Sequence, residues 1–177
     1  EQVRNNFIFA AMKGGAHHGL DFIKDLLDYK NIAVVLSKRD KIPKDFRKSN
    51  SVAFIQVDDV RLFISKACSI FFRNSIKQKI AITGTNGKTS ISFYVNQIWR
   101  KKNMDGASIG TLGVQYKKKI KMISNLTTPD VINNHKILKK LSELGCEKVV
   151  FEASSIGLEQ RRLSPIKFDI VGFTNLT

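Results

Sequence analysis

Cysteine is nearly missing from this chain, with two residues in 177. Cys68 and Cys146 lie far apart, each within an apolar stretch. They make no disulfide framework and no metal or redox motif, so free buried thiols in a reducing cytoplasm are expected. Histidine is almost as scarce, and the neighbours His17 and His18 point in different directions in most backbones, which argues against a metal pair. No apolar run approaches the roughly 20 residues of a membrane span. No N-terminal basic–apolar–small pattern marks a signal peptide. A soluble cytoplasmic chain without a membrane partner is therefore expected. Internal repeats and low-complexity segments are also absent. Acidic residues number 15 against 30 basic ones, giving a net charge of +15. Lysine far outnumbers arginine and is scattered along the chain, and only Lys117–Lys121 is dense. That run reads as an exposed hairpin. With no nucleic-acid motif, and no aromatics interleaved with the basic run, charge alone is a weak case for a nucleic-acid module. It does favour an anionic ligand.

What is present is a globular composition: 42% hydrophobic residues and a mean hydropathy of −0.15. A chain of this length holds one domain, or one and part of another, and buries roughly 70% of its unfolded surface. It opens without methionine, which suggests a processed product or a fragment.

Residues 79–90, Lys-Ile-Ala-Ile-Thr-Gly-Thr-Asn-Gly-Lys-Thr-Ser, carry the most chemistry. Ile80, Ala81 and Ile82 form a buried strand. Gly84 and Gly87 allow a tight turn and close approach to a ligand. The segment from Ser90 to Lys101 has no Gly or Pro and suits a helix, whose N-terminus aims amides at an anion. This is the pattern of a phosphate cradle: backbone amides hold the oxygens, Lys88 reaches the β- and γ-phosphates, and Thr89 ligates Mg²⁺. The strict motif places a glycine five residues before Gly87, where this chain has Ile82.

Elsewhere the pattern alternates strand and helix. Strands are expected at 7–12, 32–36 and 52–57, with helices at 21–29 and from 60 to about 74. The polar stretch 73–78 puts a domain boundary near residue 76. Beyond it come strand 79–83, helix 88–102, strand 107–110, a hairpin around 112–124, helix 130–144, strand 147–153, a loop, and strand 168–173. The fold class is α/β: a small N-terminal α/β domain, 1–76, then a mostly parallel sheet domain of phosphate-loop type, 77–177, incomplete. In such sheets ligands bind at the carboxyl ends of the strands. The glycine loop, residues 125–130 and Glu152–Ser155 all sit at such ends.

At Asn125–Asp130, Thr128 or Asp130 caps a helix with Pro129 near its first turn, while the paired Thr127 and Thr128 could also bond a ligand. Glu152 ends an apolar strand, where a carboxylate needs a partner or a metal; it is placed to hold Mg²⁺ opposite Thr89. Gln160-Arg161-Arg162 is either a surface loop or a forked guanidinium facing phosphate or carboxylate.

Thr83–Ser90, Leu126–Asp130, Glu152–Arg162 and Phe173–Thr177, in this order and spacing, resemble the Mur ligases, and among them the branch that makes UDP-N-acetylmuramoyl tripeptide. Val3–Gly14 and Gly19–Ile23 resemble the family's first strand and helix entry. The resemblance implies a monomeric, ATP-dependent amide ligase of peptidoglycan synthesis. Its partners would be UDP-N-acetylmuramoyl dipeptide and a diamino acid, with meso-diaminopimelate favoured over L-lysine. It implies that Gly84, Thr85, Asn86, Gly87, Lys88, Thr89 and Ser90 hold ATP, and that Lys88 neutralises the transferring phosphoryl group. Thr89 and Glu152 would hold Mg²⁺. Thr127, Thr128, Ser154, Gln160 and Arg162 match positions that contact the dipeptide substrate. Folylpolyglutamate and cyanophycin synthetases share the Gly-Thr-Asn-Gly-Lys-Thr loop, but the 76-residue N-terminal region and Ser154–Leu158 speak against them. There are departures. Ile156 stands where the family has His, Asn5-Asn6-Phe7 replaces Pro-Gly-Asp, and the Ser-Arg before the first strand is missing. The family continues past the position of Thr177 into a C-terminal domain that holds the amino-acid pocket. The chain therefore reads as the N-terminal portion of such an enzyme.

Overall fold

A computed structural model of the chain describes residues 5–14, 17–26, 28–46, 52–117 and 126–177. Two compact units emerge, Glu1–Ile64 and Ser65–Thr177. Among the described residues no helix is long and apolar enough to cross a membrane.

The first unit is a three-stranded parallel sheet in the order β1 (Ile8–Ala10), β2 (Ile32–Ser37), β3 (Val52–Val57). Ile8 pairs with Ala33, and Val34 with Phe54. The central strand is the apolar one, with Val34, Val35 and Leu36 fully buried. The expected helix at 21–29 is instead a 3₁₀ helix over Gly19–Leu26. Its core residues explain the tighter winding: Leu20, Ile23 and Leu26 recur every third position and face the core, while Phe22 is exposed. Three residues per turn is the 3₁₀ period. Between β2 and β3, Phe46 plugs the same core from a short 3₁₀ turn, Lys44–Phe46. Helix α1 (Val60–Phe71) follows β3 and runs across the division between the units.

The second unit is a five-stranded sheet, β6 (Gly113–Tyr116), β5 (Gly106–Gly110), β7 (Lys148–Glu152), β4 (Gln78–Thr83), β8 (Ile170–Phe173), in that spatial order. All pairs are parallel except β5–β6. The hairpin thus begins earlier than its sequence suggested: β5 itself is the first arm, with a turn at Thr111–Leu112. Its expected continuation through Lys118–Lys121 lies outside the described residues. Helix α3 (Val131–Glu143) covers one face through Ile137, Leu138 and Leu141, packed with Ala107, Ile109, Val149 and Phe151. Helix α2 (Lys88–Lys101) covers the other, where Trp99 and Val95 meet Ile82 and Val150. Side chains alternate along a strand, so Val149 and Phe151 face α3 while Val150 and Glu152 face α2. That alternation delivers Glu152 to the first turn of α2.

The stretch after β7, expected to be a loop, holds the short helix α4 (Ser155–Glu159), capped by the Ser154 hydroxyl, which accepts from Gly157 N–H at 3.1 Å. Five residues that include a glycine carry no readable period. Cys68 and Cys146 are both free and buried, and burial pushes the Cys146 thiol up to about 11.

Candidate phosphate-loop and carboxylate site

The turn from β4 into α2 is built on two left-handed glycines, Gly84 at φ 125° and Gly87 at φ 84°. Gly87 occupies the N-cap position without a side-chain cap. The first helical bond runs from Ile91 N–H to Gly87 O at 2.9 Å, so the amides of the turn before it have no helical acceptor. The loop does not hold its shape alone. The segment after β8 clasps it: Thr85 N–H donates to Asn175 O at 2.9 Å, and Asn86 N–H to Asn175 Oδ1 at 3.1 Å. Thr174 Oγ1 donates to Asn86 O at 2.6 Å. A Cβ at Gly84 would overlap Thr174 Oγ1 and sit 2.9 Å from Asn175 O, so glycine is required there twice over, by φ and by space. Two of the loop's amides are thus committed within the chain.

Lys88 Nζ donates to Gly84 O at 2.6 Å and Thr85 O at 2.8 Å. Its ammonium therefore lies over the loop rather than out in solvent. Ser90 is exposed on the first turn of α2.

Thr89 and Glu152 meet, as their positions in the sequence suggested. Thr89 Oγ1 donates to Glu152 Oε2 at 2.7 Å. Glu152 is 3% exposed; a carboxylate so buried needs donors, and the sequence reading missed its second one. Thr111, in the β5–β6 turn, gives Glu152 Oε1 its N–H at 3.0 Å and lies with its hydroxyl 3.0 Å from Oε2. Gly110 makes room: a Cβ there would sit 2.5 Å from Glu152 Cγ and closer still to its carboxyl group. Neither residue carried a sequence signal, because their proximity depends on β5 lying beside β7.

Thr127, Thr128, Ser154, Gln160 and Arg162 form a second, contiguous network. Thr127 Oγ1 is 3.2 Å from Thr111 Oγ1, joining it to Glu152. Thr128 is fully buried. Its hydroxyl donates to Glu152 O at 2.8 Å, accepts from Ser154 N–H at 2.9 Å and lies 3.0 Å from Ser154 Oγ. The helix cap is Asp130, whose carboxylate accepts from Asn133 N–H at 2.9 Å; Thr128 does not cap, and Pro129 precedes the cap rather than opening the first turn. Arg162 donates from Nη1 to Thr128 O at 2.9 Å, and from Nε and Nη2 to Gln160 Oε1 at 3.1 and 2.8 Å. The fork is thus oriented by the chain's own groups. The sequence reading also missed buried Asn134, which donates to Pro129 O at 2.8 Å and Arg162 O at 3.0 Å and so ties the two stretches together. Ile156 is 57% exposed on α4.

Oxygen donors dominate here. Among the described residues no three His, Cys, Asp or Glu side chains gather to hold a metal. One carboxylate and a hydroxyl beside a phosphate loop fit Mg²⁺, which takes few protein ligands and completes its shell with phosphate and water. Residues 82–177 match the Mur ligase middle domain. The chain belongs to the Mur ligase family. Two similar Mur ligases are from Rickettsia conorii (39% identical over 178 residues, 99% of this chain and 36% of the relative) and Mesorhizobium japonicum (36% over 180 residues, 99% and 35%). Both are named UDP-N-acetylmuramoyl-L-alanyl-D-glutamate–2,6-diaminopimelate ligase. A solved structure of a ligase with that name superposes with a TM-score of 0.76 at 25% identity, over 99% of this chain and 35% of that one. The chain spans about a third of the length of these curated relatives, 36% of the first.

Proposed function

We propose that this chain is part of a MurE-type ligase, which uses ATP to join a diamino acid to UDP-N-acetylmuramoyl-L-alanyl-D-glutamate. The observation that carries the reading is the Thr89–Glu152 hydrogen bond at the mouth of the glycine loop, in a chain 39% identical to a named diaminopimelate-adding ligase. Residues 1–76 would serve the UDP end of the substrate, and 77–177 would begin the ATP-binding domain.

In this reading the loop from Gly84 to Ser90 receives the phosphates of ATP. The amides at the start of α2 and the Lys88 ammonium face the charge that spreads over the transferring phosphoryl group. Lys88 leaves its carbonyl partners, Gly84 O and Thr85 O, to reach it. Thr89 and Glu152 hold Mg²⁺, which neutralises phosphate charge when bound. The substrate carboxylate takes the γ-phosphoryl group and ADP leaves; the incoming amine then attacks the acyl carbon, phosphate leaves, and the amine gives up its proton. Thr127, Thr128, Ser154, Gln160 and Arg162 position the muramoyl dipeptide. Most of them are already bonded to one another, so the surface that meets the substrate is formed in advance. Meso-diaminopimelate is the favoured amine and L-lysine the alternative. The enzyme would act as a cytoplasmic monomer.

The test is ligation by the longest natural chain containing this sequence. It is incubated with Mg·ATP, the UDP-muramoyl dipeptide, and meso-diaminopimelate or lysine in turn, with mass detection of product. ATP-dependent formation of the tripeptide nucleotide is expected. Glutamate addition to a folate instead would overturn the assignment in favour of a folylpolyglutamate synthetase.

A further inference from the structure

We infer that Asn86 is a site of spontaneous deamidation, a modification of the glycine loop that bound nucleotide holds off and that weakens nucleotide binding once it has occurred. Its link to the nucleotide rests on the functional reading above; the modification itself does not. Asn86-Gly87 is the only Asn-Gly pair in the chain, and both residues are exposed at the turn between β4 and α2. Glycine leaves its own nitrogen unshielded, and a Cβ built on Gly87 would meet nothing nearer than 3.9 Å. The Gly87 N–H lies ahead of the first helical bond, Ile91 N–H to Gly87 O, and has no acceptor among the described residues. The Asn86 side chain is held there by one long contact, Nδ2 to Thr177 Oγ1 at 3.4 Å. Charge favours the reaction too. The nucleophile is the deprotonated Gly87 nitrogen, and it forms at the positive end of a 14-residue helix. The Lys88 ammonium, 2.8 Å from Thr85 O, adds to that field.

The Gly87 nitrogen gives up its proton and bonds to Asn86 Cγ; the Cγ–Nδ2 bond breaks, and Nδ2 leaves as ammonia with that proton. The product is a cyclic imide, which water then opens. Attack at Cγ restores the backbone and leaves aspartate. Attack at the backbone carbonyl carbon leaves isoaspartate, with the chain routed through the side chain. Either product puts a carboxylate where Asn86 carried a neutral amide, in the loop that must take phosphate. Isoaspartate also lengthens the backbone between the bonds that clasp it, Asn86 N–H to Asn175 Oδ1 at 3.1 Å and Thr174 Oγ1 to Asn86 O at 2.6 Å. Those two bonds act as a brake, because ring closure needs the Asn86 backbone to turn. Bound phosphate is a second brake, since it takes the free loop amides and cancels their positive field.

The experiment ages the longest natural chain containing this sequence in mildly alkaline buffer, with and without Mg²⁺ and a non-hydrolysable ATP analogue. The tryptic peptide Ile80–Lys88 is followed by mass spectrometry for the gain that replaces NH₂ by OH. Isoaspartate is read by methyl transfer from an isoaspartyl methyltransferase. Asn103, also exposed but followed by Met104, is the internal control. The peptide holding Asn86 should gain mass while the one holding Asn103 stays intact. The ATP analogue should slow the gain, and Thr174→Val, which frees Asn86 O, should hasten it. Asn86→Asp, which stands for the aspartate product, should bind the analogue more weakly by about 10-fold or more, the size of a like-charge contact near a protein surface. An Asn86 that stays intact, or reacts no faster than Asn103, would overturn the inference. So would a rate indifferent to the analogue it binds, or wild-type affinity in Asn86→Asp. A wild-type chain that binds no ATP analogue would instead defeat the functional reading, and the mass gain at Asn86 would still decide the modification.

Discussion

Adding one methyl group at Gly110 tests the architecture of the site without replacing any group that bears its chemistry. Gly110 follows the register pair Ile109–Phe151, which brings it alongside Glu152. A Cβ there would stand 2.5 Å from Glu152 Cγ, against the 3.4 Å of ordinary contact, and closer still to the carboxyl group. The carboxyl end must therefore retreat by about 1 Å or more. The Thr111 N–H bond to Oε1, now 3.0 Å, cannot survive that shift, and the Thr89 bond at 2.7 Å is loosened. Each hydrogen bond to a charged group is worth about 1.5–3 kcal/mol. Losing one and weakening a second, with partial relaxation, predicts a fall in kcat on the order of 10²-fold at about 1.4 kcal/mol per decade. Steady-state kinetics and Mg²⁺-dependent nucleotide binding would measure it. Gly172→Ala, in β8 of the same sheet, is the control, since its Cβ meets the flexible tip of Ile82 at 2.9 Å. Glu152→Asp placed in the Gly110→Ala background withdraws the carboxylate by one methylene and should recover part of the loss. Wild-type kcat and Mg²⁺ response in Gly110→Ala would refute the reasoning, because a carboxylate that can be pushed aside without consequence is not holding the metal.

Three other perturbations give distinct readouts. Lys88→Ala should reduce kcat by about 10²-fold or more with little change in melting temperature, since its partners are loop carbonyls rather than core; full ATP-dependent turnover in this variant would remove the phosphate-loop assignment. Asp130→Ala deletes the cap of α3 and should cost about 0.5–2 kcal/mol in urea melts, and an unchanged midpoint would show the cap to be redundant. His135 is 3% exposed on α3, and burial pushes its imidazole below the ordinary value of about 6.5, only partly offset by the Ser164 backbone. The folded state therefore prefers neutral His135. Its stabilising contribution is complete above that ordinary value and is lost progressively as pH falls from there through the lower folded value, because the unfolded chain takes up the proton first. Urea melts at pH 7.5 and 5.5 should show this slope, and His135→Gln should flatten it.

Legibility in the sequence followed the range of the interactions. The glycine loop, the helix after it and the apolar strand ending at Glu152 are local patterns, and each lies within a few residues of where the sequence put it. That Glu152 lies opposite Thr89 was also readable, because a carboxylate at the end of a buried strand needs a partner or a metal. Gly110 and Thr111 were not readable. Their place beside Glu152 depends on β7 inserting between β5 and β4, and strand order is not written in any local window. The same holds for Thr174 and Asn175, whose partners are loop residues nearly ninety positions earlier. Arg162 illustrates a different limit. Its residue type suggested a fork for an anion, whereas three of its N–H groups turn to Thr128 and Gln160, a local choice only the fold reveals.

The clasp by Thr174 and Asn175 also has a meaning in time. On the ribosome, the glycine loop emerges long before the segment that shapes it. Thr85 and Asn86 find their acceptors on Asn175 only after β8 has docked beside β4. Closing so long a stretch of chain comes late, once intervening contacts have formed. A nascent chain that ends before Thr174 would have the Gly-Thr-Asn-Gly-Lys-Thr letters without their geometry. The shape of the loop is thereby tied to completion of the sheet behind it.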